Sequence, residues 1–190
     1  LSGCMLWLDG KDPLYSGVAP ASNTYVSEWR DKSGLNQNAS SNVPVLYDSS
    51  GFNFTETEYF TGKSSNTSEL LTVMSVATCS SLSRSNTAAR VVSLGINGIN
   101  DYNNAKYMYL GRFISSNGLV GWRDSKYAYN NPPNIDQPYL FETWFDGNKN
   151  STLVQKGEST SIVNYFNSTG NFDIRGFSIG RSVQKGDSAS

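Results

Sequence analysis

Histidine is absent from all 190 residues. That removes Ser-His-Asp and Cys-His nucleophile systems, His-ligated zinc and imidazole acid–base catalysis together. Cysteine is nearly absent, and Cys4 with Cys79 cannot build a four-thiolate zinc site. Both lie in apolar runs and read as buried thiols in strands. A bridge between them, the other reading, would close a loop of about 75 residues and contribute on the order of 4 kcal/mol. Charge is sparse at 16% of residues, with a net charge of −1 and the basic residues scattered. No footprint for a phosphate backbone results, and no nucleic-acid partner is expected. Long apolar runs are missing as well. Leu70 to Cys79 is interrupted by Thr72, Ser75 and Thr78, whereas a spanning helix needs about 20 apolar residues, so no membrane insertion is expected. The Met5-Leu6-Trp7-Leu8 run meets Asp9 too soon for a signal-peptide core, and the chain reads as a mature or excised segment.

What fills the sequence instead is Ser, Thr and Asn, 61 positions together, and 13% aromatics. That composition excludes a coiled coil, and the aromatics suffice to anchor an interior. The length suits one all-β domain, here residues 1–181, followed by a polar tail or linker at 182–190. Period-two alternation predicts strands at Cys4 to Leu8, Tyr25 to Arg30, Val43 to Tyr47, Phe52 to Phe54, Leu70 to Cys79, Arg90 to Leu94, Tyr107 to Phe113, Leu119 to Trp122, Tyr139 to Phe145, Ser151 to Gln155, Ser161 to Tyr165 and Phe172 to Ile179. Leu70 to Thr78 is apolar on both alternating sets, which predicts a central strand buried on both faces. Asp146-Gly147 predicts a hairpin turn flanked by Phe145 and Thr152. Turn-rich stretches are expected at Ser33 to Asn42, Thr61 to Thr67, Ser80 to Thr87, Gly95 to Asn104 and Asp124 to Pro138. Asn-x-Ser/Thr occurs at Asn38, Asn53, Asn66, Asn150 and Asn167, but composition alone accounts for about four such sites, so they say nothing about secretion.

Two-carboxylate hydrolysis needs acids about 5 to 9.5 Å apart, and strand residues i, i+2 and i+4 share a face. Glu56-Thr57-Glu58 starts such a set, but Phe60 stands where the third acid belongs. Glu142 shares its strand face with no second acid except Asp146 at the turn, which leaves a partner from elsewhere in the fold. The chain therefore reads as non-enzymatic, with a glycoside hydrolase or lyase as the weaker alternative, and a lyase would need Tyr or Lys as base. Asp146-x-Asn148-x-Asn150 opens like a calcium loop but has Ser151 and Gly157 where Gly and Glu are required. Asp101 with Asn103 and Asn104 supplies one acid, too few for a metal assignment. Sugar binding asks for aromatic planes against pyranose C–H faces, with amides, carboxylates and Arg on hydroxyls. Asp101, Tyr102 and Asn104, and then Trp122, Arg123, Tyr127, Tyr129 and Asn130, carry that mixture and are the candidate ligand-binding residues.

The order of several blocks is distinctive: Leu6-Trp7-Leu8-Asp9, then Val26-Ser27-Glu28-Trp29-Arg30-Asp31-Lys32-Ser33-Gly34, then Phe54 with Tyr59-Phe60, Leu94-Gly95, Phe145-Asp146-Gly147 and Phe177-Ser178-Ile179-Gly180-Arg181. Together they resemble a concanavalin A-like jelly roll of the laminin-G or pentraxin-like kind over most of residues 4 to 181. The resemblance implies a two-sheet antiparallel β-sandwich with a concave face and rim loops. It implies adhesive or glycan-binding activity on a cell or virion surface, with a glycan or cell-wall polysaccharide as partner. Similar modules occur in bacterial surface proteins and in structural proteins of large DNA viruses. Some members bind calcium; no residue here is assigned to it, and no cofactor is expected. Fold alone does not settle function, and a shell or assembly domain, forming homo-oligomers, is the rival expectation. Trp7 and Trp29 read as core or sheet-covering aromatics, and Asp31 to Gly34 as a turn built on backbone bonds to Asp31.

Overall fold

Short β-branched and aromatic runs punctuated by Gly, Asn and Ser favour extended backbone over helix. The computed structural model describes residues 3–49, 51–55, 57–68, 71–78, 90–96, 108–114, 118–123, 126–129, 137–145, 150–156, 161–167 and 172–180. Side chains are described at 3–49, 51–55, 57–64, 72–78, 91–95, 137–144 and 174–180. Among these residues there is no helix, and every strand pairing is antiparallel. In chain order the strands are β1 (Thr24–Trp29), β2 (Ala39–Asp48), β3 (Gly51–Asn53), β4 (Phe60–Ser68), β5 (Leu71–Thr78), β6 (Arg90–Ile96), β7 (Met108–Ile114), β8 (Gly118–Arg123), β9 (Lys126–Tyr129), β10 (Pro138–Phe145), β11 (Asn150–Lys156), β12 (Ser161–Asn167) and β13 (Phe172–Ile179).

They form two sheets. The larger runs β1-β2-β4-β13-β6-β7-β8-β9, with β3 pairing β2; the smaller runs β12-β11-β10-β5. The chain changes sheet four times, and its last strand, β13, slots between β4 and β6. One core cluster draws on both sheets: Ala39, Val45, Phe60, Leu94, Ile174 and Phe177 from the larger, Tyr139 and Phe141 from the smaller, with Val73 and Ala77 packed against them. Phe60, Phe141 and Phe177 have essentially no exposed surface, and each contributes about 1.5–3 kcal/mol by leaving water. Beside them Trp29, Phe52 and Phe60 form an aromatic group, Phe52 tilted against Trp29 at 4.6 Å and edge-to-face with Phe60 at 4.9 Å between ring centroids.

Most predicted strands form within a residue or two of their expected ends, and four expectations need correction. Cys4 to Leu8 is not a strand. Leu8 makes an isolated bridge to Asp31, while Trp7 bonds the Asp31 side chain in place of a strand partner. Cys4 lies there with a free, half-buried thiol; Cys79 is outside the described residues. Thr61 to Thr67, expected as a turn, is most of β4, because pairing to β13 over its length and to β2 at one end overrides a polar, Gly-containing sequence. Lys126–Tyr129, inside the expected Asp124 to Pro138 loop, is strand β9 on β8.

The fourth concerns β5, expected to be central and buried on both faces. It ends the smaller sheet, and its outer set is exposed, with Met74 at 60% and Val76 at 71%. Two apolar alternating sets do not reveal which strands flank a segment. The predicted β10–β11 hairpin forms, with Phe145 opposite Ser151 and Trp144 opposite Thr152; its turn at 146–149 is outside the described residues.

The inner face of the smaller sheet carries two buried hydroxyls, Ser75 Oγ and Thr143 Oγ1, without a hydrogen-bond partner among the described residues. A buried unpaired hydroxyl costs free energy that an isosteric methyl does not. Thr143→Val is therefore expected to stabilise the fold by about 1 kcal/mol, read as a higher denaturant midpoint at unchanged slope. A midpoint that stays or falls would show the hydroxyl to be satisfied.

Candidate functional site

Four of the candidate residues come together in one hairpin. Trp122 and Arg123 end β8, Tyr127 and Tyr129 lie on β9, and the register sets Trp122 opposite Tyr127 and Val120 opposite Tyr129. This hairpin closes one edge of the larger sheet and lies beside β12. Asp101, Tyr102, Asn104 and Asn130 lie outside the described residues, as does Asp124 with Asn131.

A second region is built from side chains. It starts at Asp31, which is 3% exposed. One carboxylate oxygen accepts the backbone N–H groups of Trp7 (3.0 Å) and Ser33 (2.8 Å). The other accepts Ser33 Oγ (2.6 Å) and the Gln37 N–H (3.0 Å). Burial pushes the Asp31 carboxyl up, but the Ser33 hydroxyl and the three backbone donors together outweigh it and hold it below the ordinary value. Gly34 (φ 94°) and Asn36 (φ 55°) supply the left-handed backbone that curls residues 33–38 round this carboxylate, as the expected Asp-Lys-Ser-Gly turn requires. Asn38 Oδ1 then accepts the Asp31 N–H at 2.9 Å, and Gln37 Nε2 donates to the Met5 carbonyl at 2.7 Å.

The curled loop leads into β2, where Ala39 pairs with Gly62 and Ser40 with Thr61. Between loop and strands lies a cavity of about 280 Å³, lined by Asn36, Gln37, Asn38, Ser40, Thr61, Gly62 and Lys63. Among the described residues, amides, hydroxyls and one ammonium line it, groups that fork onto vicinal hydroxyls. Gln37 Oε1 is buried and has no donor among the described residues, a loss of about 1–3 kcal/mol. Sequence reasoning placed Ser33 to Asn42 and Thr61 to Thr67 in two separate turns. The amide run Asn36-Gln37-Asn38 was the visible signal, but the β2–β4 pairing that faces it with Thr61 and Lys63 was not.

Next to this framework, Lys32 Nζ sits 2.8 Å from both Asp9 and Asp12. Asp12 also receives the N–H groups of Ser16 (2.9 Å) and Gly17 (3.1 Å). That capture holds Tyr15 at φ 54°, unusual for a bulky residue, with its ring 60% exposed. Trp7, expected to lie in the core or to cover a sheet, is 45% exposed, because Leu6 and Leu8 take the inward positions and Trp7 points away. Its ring centroid is 6.0 Å from Lys32 Nζ and that of Tyr15 5.5 Å, so one fixed ammonium holds two exposed rings. Trp29 does pack on the core, donating its indole N–H to the Asp9 carbonyl at 3.1 Å.

The Lys32 hydrogen bond holds Asp12 at about 2, from 3.8, and lowers Asp9 likewise, while Asp12 and Asp9 raise Lys32 above 10.5. The lowered acids contribute stability above about pH 4, lost as pH falls through about 2. The raised lysine contributes below 10.5, lost only as pH rises through its higher folded value. Hydrogen exchange at Ser16 and Gly17, corrected for intrinsic pH dependence, is thus expected to show constant protection from pH 5 to 9. Protection lost near pH 4 would contradict the pairing.

Compared with family models, characterised proteins and solved structures, the chain matches none. No group of three or more His, Cys, Asp or Glu fit to hold a metal ion occurs among the described residues.

Proposed function

We propose that this chain is a non-enzymatic carbohydrate-recognition module. In this reading it is a two-sheet sandwich of the concanavalin A-like jelly-roll kind, belonging to a larger cell-surface or virion protein. The observation that carries the proposal is the cavity beside β2 and β4, whose described lining residues present amides, hydroxyls and an ammonium. Such groups bind a hydroxylated ligand by hydrogen bonds without supplying an acid–base pair to cleave it. Exposed Trp7 and Tyr15, both beside the Lys32 ammonium, offer flat apolar surfaces of the sort that stack on sugar rings. The four sheet crossings and the insertion of β13 between β4 and β6 support the jelly-roll reading. The partner is a glycan or cell-wall polysaccharide.

A glycan array followed by titration calorimetry tests this. Saccharide binding is expected, weakened at least about tenfold by the double change Asn36→Ala/Gln37→Ala, since one or two hydrogen bonds to a buried ligand are lost. Trp122→Ala and Tyr129→Ala separate the two candidate regions: loss through these alone would move the site to the β8–β9 hairpin. No saccharide bound by the intact chain would remove the proposal.

One observation favours a second reading, an assembly domain. Met74, Val76 and Trp144 are exposed on the outer face of the smaller sheet, Trp144 standing opposite Thr72 and Leu140 opposite Val76. Contiguous exposed apolar surface marks interaction sites. Sedimentation as a stable oligomer that loses its association with Val76→Lys would favour assembly over sugar capture.

A further inference from the structure

Among the described residues that line the amide-rich cavity, Lys63 is the single charged side chain. Lys63 is exposed, and among the described residues its ammonium makes no ion pair, whereas Arg30 is paired with Glu28 and Lys32 with Asp9 and Asp12. No carboxylate is among the described residues of the lining. Asp31, behind the loop, is buried, and both its oxygens are taken by Trp7, Ser33 and Gln37.

From this charge asymmetry we infer that the ligand of the cavity is an acidic saccharide. One sugar residue presents a carboxylate or sulfate to Lys63 while its hydroxyls bond Asn36, Gln37 and Ser40. The inference rests on the carbohydrate reading of the same cavity. A volume of about 280 Å³ lies at the small end of ligand sites, suited to a single sugar residue. A charge-assisted hydrogen bond is roughly twice as strong as a neutral one. At an exposed ammonium it is also screened by salt, which gives the acidic ligand a signature a neutral one lacks.

The experiment compares oligogalacturonides with their carboxyl-reduced counterparts, and a sulfated galactan with its desulfated form, by calorimetry on the intact chain at about 50 and 500 mM salt. Lys63→Met and Lys63→Arg are titrated alongside, with thermal melting to show that each remains folded. The acidic member of at least one pair is expected to bind about tenfold or more tightly at low salt. That margin should shrink at high salt, vanish in Lys63→Met and persist in Lys63→Arg. Preference within the galacturonide pair assigns the group as carboxylate, and within the galactan pair as sulfate. Equal affinity for acidic and neutral members, or a preference untouched by Lys63→Met, overturns the acidic class while leaving carbohydrate recognition standing. Binding by neither member of either pair overturns the inference, and the glycan array separately reports whether the broader reading falls with it.

Discussion

Asp31→Ala is expected to lower stability by about 3–5 kcal/mol, a large loss for one polar residue. Its carboxylate serves four donors from three separate places in the chain: Trp7, Ser33 through both N–H and hydroxyl, and Gln37. Removing it strands three backbone N–H groups in a site that is 3% exposed, and each buried orphan donor costs about 1–3 kcal/mol. Asp31→Asn keeps the volume but turns an NH₂ toward one set of donors, so about half the loss is expected. Chemical denaturation measures the cost, and exchange of the Trp7 and Gln37 amides tests the mechanism. A loss under about 1 kcal/mol, or unchanged exchange at Trp7 and Gln37, would show that the carboxylate is not the tie.

Gly62→Ala is expected to cost about 3 kcal/mol, the upper end for overpacking. A Cβ at this position would overlap the Phe177 ring and stand 2.9 Å from the Asn38 carbonyl oxygen. Phe177 is 1% exposed, and β4 is held by β13 on one side and β2 on the other, so neither ring nor strand has room to retreat. Phe177→Leu should be costly alone and yet relieve Gly62→Ala, giving a coupling of about 1 kcal/mol or more in a double-mutant cycle. Additive losses would refute the overlap. Because Gly62 also lines the cavity, the alanine variant should lose ligand affinity along with stability.

The two N-terminal blocks show how far local reading reaches. Asp31-Lys32-Ser33-Gly34 was legible as a turn, since an acceptor side chain followed by a left-handed glycine needs no distant partner. That Lys32 would pair with Asp9 and Asp12, and that Trp7 would face out over it, depends on contacts some 20 residues apart in sequence. The candidate cavity follows the same division. Asn36, Gln37 and Asn38 announce a polar loop, but Thr61 and Lys63 join it only because β4 pairs with β2. Of the residues chosen for sugar binding, the register unites Trp122, Arg123, Tyr127 and Tyr129 in one hairpin, a pairing that the stretch after Asp124, read as a loop, did not suggest.

Composition and two-residue alternation alone determined that this chain is β-rich, lacks histidine and breaks into short strands, because those properties are set residue by residue and by nearest neighbours. Tertiary structure decided which strand stands at an edge, which aromatic side chains stay in water, and which polar loop meets which strand. Each of these is a relation between segments far apart in the chain. For β5, the sequence Leu-Thr-Val-Met-Ser-Val-Ala-Thr is compatible with a central or an outer place. Pairing with β10 sets its place at the end of the smaller sheet, and Met74 and Val76 are exposed because their face of that sheet is turned away from the core cluster.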